Sequence, residues 1–220
     1  MLKTDYKKEL ENGLNEVIEE IKHSLIDGDK NKAYEALNKK LRSLVGIDMN
    51  TVEMVTIQDI IDIVGRDNQH NAERYVALGE ILLLYGEVSE KFDDEMNKFS
   101  MYKKSLRAFY EAYMEEESLE EKYMNDAIKV VDYVSQYEVS LEDNQCIFKL
   151  YEVSNKLDRA EDILYDMIEE SGKSKEMIKI GIDFYNRLKR FPEKKLIEGN
   201  LPIDEVNQGL KNLQKYRGCI

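Results

Sequence analysis

Tryptophan is absent from this chain, and proline, cysteine and histidine occur only twice each in 220 residues. Both prolines, Pro192 and Pro202, lie near the C-terminal end, so nothing upstream calls for a kinked helix or a rigid linker. The cysteines, Cys146 and Cys219, have no CxxC spacing, which excludes a disulfide framework and a thiolate zinc site. They fit a reducing, cytoplasmic setting, with Cys146 buried as a small apolar group and Cys219 free near the C-terminus. Lys and Arg number 32 against 45 Asp and Glu, a net charge of -13. A phosphate-binding surface needs clustered cations, so nucleic acid and anionic membrane are not expected partners. Long apolar runs are also missing. The longest window, Val76 to Gly86, is interrupted by Glu80 and too short to span a bilayer, and MLKTDYKKEL lacks the apolar core of a secretion signal.

What the chain does contain is helical periodicity from end to end. Leu2, Tyr6, Leu10, Leu14, Val17, Ile18, Ile21 and Leu25 predict a first helix over roughly residues 3 to 26, ended by Gly28. Ala33 and Leu37 follow that glycine by five and nine residues. Ala160 and Leu164 stand at the same distances from Asn155, which tolerates the left-handed backbone of a tight turn. The segment Cys146 to Gly172 therefore reads as two helices folded back on each other, and residues 28 to 37 as part of an earlier copy.

Capping boxes are predicted at Thr56 with Asp59, Ser118 with Glu121 and Ser140 with Asp143. Ser174 is expected to cap a helix stopped by Pro192, and Pro202 to occupy the first turn of the last helix. Gly86 is expected to close the helix that begins near Ala72, and the helix of Tyr102 to Tyr113 to be extended by about two turns or preceded by an insertion.

The spacing of Tyr75, Leu78, Gly79 and Leu82 resembles the first helix of a tetratricopeptide repeat, with Tyr in place of the usual Trp and Leu in place of the usual Tyr. YKKSLRAFYEAY, Tyr102 to Tyr113, resembles a second helix. With RAEDILYDMIE and LPIDEVNQGLKNL, the whole chain is similar to an uncharacterised bacterial family of tetratricopeptide-like proteins of about this length. The resemblance implies an all-α fold. About ten helices, in antiparallel pairs over residues 3-45, 56-86, 92-135, 140-171 and 174-216, would stack within a single domain, 1-220. The stack would be either a right-handed α-solenoid or a compact array. The resemblance carries no assigned activity.

Chemistry is sparse. Glu20 and His23 have the ExxH spacing of bundle metal sites, but a di-metal site needs a second such pair, and Asp67 with His70 falls in a loop. Asp27, Asp29 and Asn31 imitate the start of a calcium loop, but Lys32 and Asn38 replace its glycine and closing glutamate, leaving a helix-helix turn. No nucleophile elbow and no phosphate-cradling glycine motif occurs. No cofactor is implied. The expected function is a non-catalytic protein- or peptide-binding module, with Tyr110, Tyr113, Glu115, Glu116 and Glu117 as candidate partner-binding residues for a basic partner. Two alternatives stand beside it: a small acidic chaperone or adaptor that dimerises through the N-terminal helix, and a metal protein or enzyme resting on Glu20 and His23.

Overall fold

The computed structural model describes residues 3-67 and 70-217, so Leu2 and Cys219 lie outside the described residues. Among these residues the chain is all helical, with twelve helices. In order they are α1 (Lys3–Ile26), α2 (Lys30–Leu44), α3 (Met49–Met54), α4 (Ile57–Val64), α5 (Asn71–Lys91), α6 (Glu95–Glu116), α7 (Glu121–Val134), α8 (Leu141–Val153), α9 (Leu157–Glu170), α10 (Lys175–Leu188), α11 (Glu193–Glu198) and α12 (Ile203–Arg217). Packing divides them into two compact units that meet in sequence between Tyr137 and Glu138.

In the first unit α5 is the hub, in contact with α1, α2, α4, α6 and α7. Its sequence explains why. AERYVALGEILLLYG is apolar on every side, so the helix is stable only when surrounded. α1 buries Leu10, Leu14, Val17 and Ile21 against α2 and α5, while Tyr6, Ile18 and Leu25 of the same stripe are half-buried. α5 and α6 share the most extensive interface. Two glycines permit it: a Cβ at Gly79 would lie 3.0 Å from the Phe109 ring, and one at Gly86 would overlap the Tyr102 ring.

Gly86 accordingly does not close its helix, contrary to the sequence expectation. α5 continues five residues further, to Lys91, and the glycine is there for the close approach of a ring. The turn is made instead by Asp93 at φ 56°, with the Asp94 N–H donating to the Ser89 carbonyl at 3.0 Å. α6 then starts at Glu95, two turns before Tyr102.

The second unit holds α8 to α12, with α8 packed on α9 and α10 on α12. Asn155 stands at φ 61° and Gly28 at φ 68°. In both turns the following N–H reaches five residues back: Lys156 to Tyr151 and Asp29 to Ser24, each at 2.9 Å. Ala33, Leu37, Ala160 and Leu164 are all fully buried, so the equal spacing reflects the same local packing.

The boxes at Thr56 with Asp59 and Ser140 with Asp143 form, and Ser174 caps its helix through the Met177 N–H. The one at Ser118 does not. Glu117 takes a left-handed conformation, and the Ser118 hydroxyl turns back to the Glu116 carbonyl at 3.4 Å. α7 then begins after Glu120 without a side-chain cap. Pro192 begins the short α11 rather than ending α10, and Pro202 precedes the first turn of α12, its carbonyl accepting from Val206 at 3.1 Å.

Candidate functional site

The residues singled out from sequence lie at the C-terminal half of α6. Tyr110 and Tyr113 are half-buried and Glu115, Glu116 and Glu117 are exposed. The Arg107 guanidinium sits 5.5 Å from the centre of the Tyr110 ring and pairs with Glu111 at 2.8 Å. Successive helical residues point about 100° apart, so the glutamates diverge. Glu116 borders a cavity of about 70 Å³ with Lys7, Glu11, Glu120 and Tyr123. Glu115 acts on Tyr75, whose phenol is pushed up first by burial and then by Glu111 and Glu115. Glu117 leaves the helix altogether.

A denser cluster that sequence reasoning missed lies at the other end of α6. The Lys98 side chain is buried, its ammonium 4.2 Å from the centre of the Tyr133 ring and 5.8 Å from that of Tyr102. It also pairs with Glu90 at 2.8 Å and reaches Glu95 at 4.0 Å. Hydrogen bonding from that ammonium holds the Glu90 carboxyl below its ordinary value.

The rings continue outward. Tyr102 meets Tyr133 edge-on at 4.9 Å, Tyr133 meets Tyr137 at 5.3 Å and Tyr137 meets Phe99 at 4.7 Å. The Tyr137 hydroxyl donates to Tyr133 at 3.1 Å, and the Tyr133 hydroxyl donates to Glu95 at 2.9 Å. Burial, followed by these bonds, raises the Tyr133 phenol. Tyr137 remains 45% exposed and Met96 is 87% exposed, so the outer edge of the cluster faces solvent. Glu95, Lys98, Phe99 and Tyr102 already carried the spacing of one helical face, a signal present in the sequence.

Between α5 and α7 lies a pair of carboxyls. Glu80 is 5% exposed and bonds to Asp126, while its Oε1 has no hydrogen-bond partner. Burial, with the Asp126 charge second, pushes Glu80 up to about 8. Burial raises Asp126 as well. At neutral pH Glu80 is therefore a carboxylic acid hydrogen-bonded to Asp126, with Lys122 and Lys129 on α7 and Glu87 on α5 nearby.

Glu20 and His23 line an open groove between α1 and α2 together with Lys32, Glu35 and Lys39. Among the described residues no group of three or more His, Cys, Asp or Glu is arranged to hold a metal ion. His70 stacks on Tyr6 at 5.4 Å, and the Asp67 side chain lies outside the described residues. Asp29 caps α2 by accepting from the Lys32 N–H at 3.0 Å, the role of a helix-helix turn. Among the described residues no helix is long and apolar enough to cross a membrane.

No curated protein and no solved structure matches the chain. A family model does match, over residues 1-218, a span that takes in both helical units, the aromatic cluster and the carboxyl pair. The chain thus belongs to DUF6483, described as a family of unknown function.

Proposed function

We propose that this protein is a non-catalytic interaction module, tetratricopeptide-like in its α1-α2 and α8-α9 pairs, which docks a Lys- or Arg-bearing segment of another protein along α6. The observation that carries this reading is the apolar edge formed by exposed Met96 and Tyr137 and half-buried Phe99, set beside Glu95 and built around a site that already accommodates an ammonium, that of Lys98. A ring face attracts a cation, and flanking carboxylates add both attraction and selectivity. Met96 and Met114 are both exposed and stand about five helical turns apart, on one line along α6. Tyr110 lies close to that line, so a longer segment would run from the aromatic edge toward Tyr110, Tyr113 and the carboxylates of Glu115, Glu116 and Glu117. A homodimer through α1 has less support, because Leu10, Leu14, Val17 and Ile21 of that helix are covered by α2 and α5.

With no tryptophan in the chain, tyrosine emission reports directly on such binding. A ten-residue Lys-rich peptide without aromatic residues is titrated against the full chain, with a Glu-rich peptide as control. Saturable quenching by the basic peptide alone, weakened about tenfold in Met96→Ala/Tyr137→Ala, is the expected result. Equal response to both peptides, or unchanged affinity in the variant, refutes the docking surface.

A further inference from the structure

A second charged surface, of opposite sign, lies in the second unit. Arg187, Lys189, Arg190, Lys194 and Lys195 fall within nine residues of a chain whose net charge is -13, and all five are exposed. Only part of this crowding has a local explanation. Arg187 closes an ion pair with Glu152 at 2.7 Å, and Arg187 and Lys189 stand at the C-terminal end of α10, where the helix dipole favours cations.

Arg190 and Lys194 have no such reason. Arg190 lies beyond α10, and neither it nor Lys189 makes an ion pair among the described residues. Lys194 occupies the first turn of α11, where the dipole disfavours cations, whereas Lys195 already falls in the last turn of that six-residue helix. Lys194 is 83% exposed and finds only Glu198, at 3.6 Å. The Lys195 ammonium lies 3.9 Å over the Phe191 ring, and Ile197 is 59% exposed on the same short helix. Five exposed like charges crowded into nine residues, Lys194 among them against the preference of its helix end, with two apolar side chains beside them, are features of a surface shaped for something outside the chain.

We infer that the α10-α11 turn is a docking surface for an acidic protein segment carrying an apolar residue, whose carboxylates meet Lys189, Arg190 and Lys194 while the apolar side chain rests against Phe191 and Ile197. Charge complementarity selects an acidic occupant. The modest size of the cationic area, within a protein of strong net negative charge, favours a short protein segment over a polyanion such as duplex nucleic acid, whose other phosphates would meet the acidic remainder of the surface. The inference stands independently of the α6 surface.

The test is fluorescence anisotropy of a labelled nonapeptide of Glu and Asp with one central Leu, titrated with the full chain at low and moderate salt. Binding that weakens as salt rises, and that falls at least tenfold in Lys189→Glu/Arg190→Glu, is expected. Lys194→Ala, which removes an exposed cation from the first turn of α11, is expected to weaken binding without lowering thermal stability. No preference over a neutral peptide of equal length overturns the inference, as does unchanged affinity in both variants or tighter binding of duplex nucleic acid than of the peptide.

Discussion

Replacing Glu80 by Gln isolates the linkage between the buried carboxyl and folding. In the folded chain the group releases its proton only near pH 8, against an ordinary value of 4.5. The folded state therefore binds more protons than the unfolded state between those values, and stability falls as pH rises through that window. The contribution, about 5 kcal/mol at ~1.4 kcal/mol per tenfold, is fully present below pH 4.5 and lost by about pH 8, with about 3 kcal/mol of it already lost at pH 7. Asp126, also raised, acts with the same sign. Glutamine is neutral in both states and still offers an N–H to Asp126, so the variant removes the penalty and keeps the bond. Urea denaturation followed by circular dichroism at pH 5, 6.5 and 8 is expected to show Glu80→Gln within ~1 kcal/mol of the wild type at pH 5 and about 3 to 4 kcal/mol more stable at pH 8. Parallel stability curves for the two proteins from pH 5 to pH 8 would refute the buried, proton-sharing pair.

Three further predictions concern packing. Gly86→Ala raises helix propensity but drives a methyl into the Tyr102 ring, so thermal denaturation should show a net loss of about 1 to 3 kcal/mol, reduced in a Tyr102→Leu background. Asn155→Ala, at φ 61° and without the Asn155 bond to the Lys195 carbonyl, should cost about 1 to 2 kcal/mol, whereas Asn155→Gly should cost less than about 1. Cys146 is 2% exposed, so in a Cys219→Ser chain it should react with a thiol reagent orders of magnitude more slowly in the native state than in urea. Comparable rates would place it outside the core.

The features legible in the sequence were those decided within a few residues. The capping boxes at Thr56 and Ser140, the left-handed turns at Gly28 and Asn155, and the apolar stripe of α1 all rest on short-range hydrogen bonding or on helical periodicity. Gly86 was misread because a helix-interior glycine and a helix-ending one look alike until the ring that crosses it is known. Ser118 had the right spacing, but its hydroxyl was drawn back to the preceding helix. The aromatic cluster escaped notice because Phe99 and Tyr137 come from opposite ends of an α6-α7 hairpin.

By itself, then, the sequence determined an acidic all-helical chain, the positions of most helices and the turns between the α1-α2 and α8-α9 pairs, since these follow from periodicity and local backbone preference. Only the tertiary structure decided that α5 is surrounded and that Glu80 is buried against Asp126. It alone enclosed the Lys98 ammonium in rings from two helices, and left Tyr137 and Met96 at the surface. Burial and charge pairing depend on which helices become neighbours, and residues dozens of positions apart carry no mark of that meeting until the chain has folded.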